Sequence, residues 1–227
     1  MLKFAMILSG CGGMDGSETH EAISLMIAIK KAGCDYVCFA INENQKYVIH
    51  TTGMAQSQEK RNMLTEAGRL NHGMVSDLKK LNVKSFDALI LPGGYGTGTS
   101  LSNFIECDGK TCKKNLNYKV RDEIKNVIQE FHSNGKPIFA GCMAPTMVNG
   151  SLSGIKIMTD VGFYTKEIIE KHNNTYQVCK AGEVCVDEEN KIVTVPYYMS
   201  PKVDVGVIFD ESVNGIEEIV RLCNNKQ

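Results

Sequence analysis

The sequence predicts an α/β fold built on a mostly parallel sheet, and three observations carry that prediction. The chain opens as strand, helix, strand: apolar residues 3–8, an amphipathic stretch ending at Gly33, then Tyr36-Val37-Cys38-Phe39-Ala40. Two further buried strands, within residues 86–91 and 137–140, stop abruptly at Pro92-Gly93-Gly94 and Gly141-Cys142. An amphipathic helix over residues 117–132 separates them, with Val120, Ile124, Val127, Ile128 and Phe131 on one face.

In order, the first strand runs into a Gly-rich loop, Ser9 to Ser17. Ser17 is the expected N-cap of the first helix, whose apolar positions recur at Ala22, Ile23, Met26, Ile27 and Ile29. The loop departs from the Gly-x-Gly-x-x-Gly dinucleotide spacing, and no phosphate-binding Gly-Lys-Ser/Thr motif occurs. It is expected to let backbone approach another segment or a small ligand. Residues 46–85 read as an insertion between core strands, with helical character at 56–70 and 76–81. Residues 97–115 read as a polar loop. Beyond Pro145, a strand is expected within 152–159, a helix over 166–172 and a strand at 176–178. Residues 184–186 and 191–195 flank the turn Asp187-Glu188-Glu189-Asn190 and predict a C-terminal β-hairpin. A long helix over 203–223 closes a single domain covering 1–227.

Composition narrows the functional classes. A net charge of −1 argues against a broad electrostatic footprint for nucleic acid or an anionic membrane. No apolar run is long enough to span a bilayer. The nine cysteines are odd in number and scattered, with no Cys-x-x-Cys pair, so reduced thiols are expected and a metal site is not. The expected location is cytoplasmic, or mitochondrial once a transit peptide has been removed.

The stretch from Lys136 to Met147 carries the chemistry. A cysteine at a strand-turn-helix corner is pushed out of the packed layer, and the N–H groups of the next helix favour its thiolate. Cys142 is therefore a candidate nucleophile; the other reading is a buried core cysteine. Two adjacent glycines, Gly93 and Gly94, would leave backbone amides open at the carboxyl end of a parallel strand, where ligands bind in such sheets; the other reading is a tight turn.

Several segments together resemble one family. They are Leu8-Ser9-Gly10-Cys11-Gly12, Asp15 to Ala22, Leu91 to Gly96, Leu101-Ser102-Asn103-Phe104, Gly135-Lys136-Pro137, Cys142 to Pro145, and Asp187 to Thr194. Over nearly the whole chain they are similar to the enhancing-lycopene-biosynthesis (ElbB-like) family. That family is a branch of the class I glutamine amidotransferase-like superfamily that includes the PfpI proteases and the parkinsonism-associated deglycases. The resemblance implies a flavodoxin-like three-layer sandwich and a homodimer, for which residues 46–75 are the expected contact.

It also implies site roles. Cys142 stands at the reactive position, and Glu21 at that of the carboxylate that bonds the thiol, with Glu18 on the same helix face as the alternative. His20 is a further acid/base candidate beside a packing or capping role. The amides of Gly94 and Met143 would form an oxyanion site. Gly10, Cys11, Gly93 and Asn103 are expected to line the substrate pocket. Met143 stands where PfpI-type proteins place histidine, and His172, the last histidine, lacks a glutamate two residues on. Glutamine hydrolysis and ordinary peptidase chemistry are therefore not expected. The implied activity is conversion of glyoxal or a related dicarbonyl to a hydroxy acid, or deglycation, without cofactor or metal. The alternatives are a redox-sensing or partner-binding protein that oxidises Cys142, and an amidotransferase subunit completed by a partner.

Overall fold

Seven strands form the central sheet of the computed structural model, which describes residues 1–50, 52, 55–108, 111–159 and 165–225. In chain order they are β1 (Lys3–Leu8), β2 (Asp35–Ala40), β3 (Val75–Asp77), β4 (Ala88–Leu91), β5 (Ile138–Gly141), β6 (Cys185–Asp187) and β7 (Ile192–Val195). Their spatial order is β6-β7-β5-β4-β1-β2-β3. Every pairing is parallel except β6 with β7, the expected hairpin.

The helices are α1 (Thr19–Lys31), α2 (Met63–Ala67), α3 (Tyr95–Thr99), α4 (Asp122–Ser133), α5 (Pro145–Asn149), α6 (Lys166–Glu170) and α7 (Val205–Asn224). Both faces of the sheet are covered, so β1, β4 and β5 are apolar along their length rather than alternating. Phe4, Met6, Leu25, Ile29, Phe131 and Phe139 are among the fully buried side chains, each contributing about 1.5–3 kcal/mol. This is the flavodoxin-like arrangement that the family resemblance implied.

The chain builds β1 to β3 in one direction, then returns to build β4 to β7 in the other. The reversal lies between β1 and β4, which pair directly. In open α/β sheets the crevice at such a reversal, beyond the carboxyl ends of the strands, is where ligands bind.

Local expectations fail where a polar side chain competes with the helix. Residues 56–70 do not form one helix: Ala55–Ser57 is a strand, and α2 starts only where Asn62 Oδ1 accepts the Thr65 amide. Residues 76–81 split into β3 and a 3₁₀ turn, because Asp77 Oδ1 captures the Lys79 amide. The segment 46–85 is thus not wholly an insertion, since it supplies the sheet's edge strand. Helix α4 begins at Asp122 rather than 117, because the Asn115 side chain binds the Asn117 amide in a local turn.

The loop 97–115 contains a short ribbon, Ile105–Cys107 against Cys112–Lys114, bridged by a Cys107–Cys112 disulfide. The expectation of reduced thiols fails there, because the two cysteines face each other in register. The other seven cysteines are free. Among the described residues no helix is long and apolar enough to cross a membrane.

Candidate active site

Four segments meet at the carboxyl ends of β1, β4, β5 and β7. The Gly-rich loop after β1 folds back through Ser17, whose Oγ accepts the Ser9 amide at 2.9 Å. Ser17 is therefore not the helix cap; Glu18 is, its Oε2 accepting the Glu21 amide at 2.8 Å. The loop docks on the Pro92-Gly93-Gly94 turn. Glu18 N–H donates to the Gly93 carbonyl at 3.0 Å, Tyr95 N–H to Gly13 at 2.8 Å, and Gly96 N–H to Gly16 at 3.0 Å.

Gly94 is where this docking is tightest. Its φ is +100°, and a Cβ there would overlap the Gly16 carbonyl and the Glu18 amide. Gly94→Ala is expected to cost about 3 kcal/mol, or roughly 6–12 °C in melting temperature, read by thermal unfolding. Unchanged melting would show that the loop has slack.

Cys142 follows β5 with φ +54°, a left-handed conformation that costs a non-glycine residue about 1–2 kcal/mol. It is held by its own N–H, bonded to the Val195 carbonyl of β7 at 3.0 Å, and by α5, which begins at Pro145. The corner makes the thiol face a cavity of about 360 Å³. Cys142, Met143 and Gly94 contribute to its floor, and Gly13, Met14, Glu18, Tyr95, Tyr198 and Met199 to its walls. Among the described residues no Lys, Arg or His lines it.

Glu21 is fully buried on α1. Its Oε2 accepts the Gly93 amide at 2.8 Å, its Oε1 bonds no nitrogen or oxygen, and the carboxyl faces the Cys142 thiol. Burial first, and the Glu18 carboxylate second, push the Glu21 carboxyl up to about 8. Burial and the Glu21 charge also push the Cys142 thiol well above its ordinary value, although the amides of Gly94 and Met143 point at the sulfur and pull it down. The sequence argument for a standing thiolate therefore fails in the resting protein: the amides are in place, but burial outweighs them. At neutral pH both groups keep their protons.

The remaining expected site residues divide. Glu18 lines the cavity. His20 is 55% exposed at its mouth, with Nδ1 2.9 Å from Tyr198 Oη and 3.5 Å from Glu18 Oε1. Gly93 lies behind the site rather than in its wall; a Cβ there would sit 2.5 Å from Cys142 Cβ and 2.8 Å from Glu21 Oε2. Gly10, Cys11 and Asn103 do not line the cavity. The open side of Gly10 is filled by the Gln45 side chain. Cys11 faces Thr19. Asn103 belongs to a separate polar cleft, where its Oδ1 accepts the Lys119 amide and ties two loops together. His172 packs on Tyr118, 5.2 Å between ring centres, away from the cavity lining.

The sequence reading missed Gly13, Met14, Tyr95, Tyr198 and Met199. One signal was available for the last two. Pro196-Tyr197-Tyr198 directly follows strand β7, whose parallel pairing with β5 puts its carboxyl end beside Cys142. Among the described residues no group of three or more His, Cys, Asp or Glu could hold a metal ion.

No family model matches the chain. A human protein, glutamine amidotransferase-like class 1 domain-containing protein 3, mitochondrial, is 37% identical over 207 residues, 87% of this chain and 75% of the relative. The crystal structure of an Ehrlichia chaffeensis isoprenoid biosynthesis protein with an amidotransferase-like domain superposes with a TM-score of 0.87. It is 31% identical, covering 98% of this chain and 99% of that one. Glyoxalase III from Candida albicans shares the fold, with a TM-score of 0.62 at 12% identity over 97% of each chain. The relatedness at this level, together with the seven-stranded sheet and its cysteine corner, places the chain in the class I glutamine amidotransferase-like superfamily, the group that includes DJ-1 and PfpI proteins.

Proposed function

We propose that the chain is an ElbB-like glyoxalase that converts glyoxal or a related small dicarbonyl to a hydroxy acid through Cys142, without an external cofactor. The observation that carries this reading is Cys142 facing a partly open cavity, backed by the buried Glu21 carboxyl and with two backbone amides aimed at the sulfur. The reactive form is the pair less one proton. Cys142 Sγ adds to one aldehyde carbon while its proton passes to the Glu21 carboxylate. The carbonyl π pair becomes an alkoxide, held by the amides of Gly94 and Met143 until Glu21 protonates it to the hemithioacetal. The C–H proton of that carbon then leaves, and the neighbouring carbon gains one. The first carbon is oxidised to a thioester and the second reduced to an alcohol, so the redox balance is internal. Water cleaves the thioester to the hydroxy acid and regenerates the thiol.

The cavity lining also supports one substrate class over others. Glu18 puts a carboxylate in its wall and, among the described residues, no Lys or Arg lines it, so neutral carbonyls suit it better than phosphorylated or carboxylated ones. The mitochondrial name of the human relative supports the mitochondrial alternative for location. The family resemblance supports a homodimer as the working assembly.

Proton NMR of glyoxal and methylglyoxal incubated with the protein is the direct test. Glycolate and lactate should form, glyoxylate should stay unchanged, and iodoacetamide treatment should stop turnover. No hydroxy acid at millimolar substrate would overturn the reading. Selective Cys142 oxidation by mild peroxide, without dicarbonyl turnover, would favour the redox sensor instead, since the same amides would hold a sulfinate.

A further inference from the structure

The dicarbonyl reaction proposed above needs a second proton donor, and Glu21 cannot supply it alone. Glu21 is fully buried beneath the sulfur and can serve only the carbon bonded to Cys142 and its neighbour from that side. A distal carbonyl oxygen must extend from the sulfur into the cavity, whose lining includes Tyr198. We propose that Tyr198 is the acid that serves that oxygen, and that His20 is the positioning residue that reloads it from solvent.

Three observations place Tyr198 there. It lines the same cavity as Cys142. Its Oη is 2.9 Å from His20 Nδ1, and the same nitrogen is 3.5 Å from Glu18 Oε1. His20 is half exposed, so a hydrogen-bonded path runs from the cavity wall through the imidazole to water. Glu18 both caps α1 and sits beside the imidazole, so one side chain orients the helix end and the histidine.

The backbone before Tyr198 is built to aim it. Tyr197 has φ +48°, a conformation rare for an aromatic residue. It is held by its N–H donating to Glu211 Oε2 at 2.8 Å and by its hydroxyl, 2.7 Å from Ser212 Oγ. Its ring fills the space that Gly141 leaves by lacking a Cβ. Glu211 is itself buried, and its other oxygen accepts the Gly182 amide at 2.6 Å. Cys142 and Tyr197 thus stand as two left-handed corners at the ends of adjacent strands β5 and β7. One presents the thiol to the cavity, and the other presents the phenol of the next residue. Strain that is so fully braced is a mark of a functional position.

The charge environment sets the direction of proton flow. The phenol is pushed up by burial, then by Glu18, Glu21, Asp204 and Cys142, so it enters the reaction protonated. As the Glu21 carboxylate takes the C–H proton of the hemithioacetal carbon, the electron pair forms the carbon–carbon double bond. The distal carbonyl π pair moves to its oxygen, which takes the Tyr198 proton. Tyr198 regains a proton from His20, and His20 from water. Glu21 then protonates the distal carbon while the first hydroxyl loses its proton to water, leaving the thioester.

The test compares Tyr198→Phe, His20→Ala and wild type in the glyoxal assay, with Cys142 alkylation by iodoacetamide as the control. Tyr198→Phe should lower kcat on the order of 10²-fold with KM changed less than about 3-fold, because acid catalysis acts on the chemical step. The alkylation rate should stay within about 2-fold of wild type, since the thiol and its amides are untouched. His20→Ala should lose about 10-fold in kcat and recover most of it with added imidazole, which a packing role would not do. Wild-type kcat in Tyr198→Phe, or no imidazole rescue of His20→Ala, would overturn the proposal while leaving the Cys142 reading intact. A parallel loss of turnover and alkylation would also overturn it, as a structural effect. Absence of turnover in the wild type would overturn both readings.

Discussion

Cys142→Ser is expected to abolish hydroxy acid formation, with a loss on the order of 10³-fold or more, as removal of a covalent nucleophile does elsewhere. Serine keeps the corner, its φ and the reach of the Gly94 and Met143 amides. What it removes is an ionisable nucleophile: a serine hydroxyl beside a largely protonated Glu21 has no base to activate it. Stability should change by less than about 1 kcal/mol, because the two side chains are close in size. The measurement is turnover alongside thermal unfolding. A serine variant that turns over glyoxal within tenfold of wild type would show that Cys142 is a core cysteine and that the chemistry lies elsewhere.

Glu21→Gln should change two pH profiles of opposite sign. In the unfolded chain Glu21 ionises near 4.5, whereas in the fold it keeps its proton up to about 8. Between those values the folded state binds the extra proton, so stability falls as pH rises, by about 1.4 kcal/mol per pH unit and by about 5 kcal/mol across the window. Below the lower value and above the upper one this group adds no slope. Glu211 and Asp15, both pushed up by burial, add slope of the same sign. Turnover runs the other way, because the reactive pair must lose one proton; it should rise with pH toward 8 and level off.

Glutamine mimics the protonated carboxyl, so the variant should lose about one proton's worth of the stability slope and retain little turnover at any pH. Denaturant unfolding at three pH values between 5.5 and 7.5 reads the first, and initial rates read the second. A variant with the wild-type stability slope would show that Glu21 is ionised in the fold.

The two predictions share a physical cause. The site does not hold a ready thiolate; it holds two acids that repel each other's charge inside a buried corner. Burial raises both, and the amides of Gly94 and Met143 recover part of the cost for sulfur alone. Substrate carbonyl entering the cavity offers a new place for that charge, which is how such a pair can stay quiet at rest and react when filled.

Much of the site was legible because its parts are local. Gly141-Cys142 at the end of an apolar run, and Pro92-Gly93-Gly94 at the end of another, marked two strand ends that the fold places side by side. Glu21 was found through the family resemblance and an acidic start to α1. Misreadings came where a residue's neighbours are remote in sequence. Gly10 looked open until Gln45 filled its free side, and Asn103 looked like a ligand-binding amide until it tied down Lys119. Cys107 and Cys112 looked unpaired until a two-stranded ribbon set them in register.

The α/β class, the strand ends and the cysteine corner are legible along the chain, because hydrophobic runs, glycine breaks and helix periodicity are properties of neighbouring residues. Which carboxylate meets the thiol, that both keep their protons at neutral pH, and that Tyr198 shares a cavity with Cys142 are set by the tertiary structure. Those outcomes depend on burial and on contacts spanning up to 178 residues, between Tyr198 and His20. Charge and proton affinity are set by what surrounds a group in space, and a sequence lists only what surrounds it along the chain.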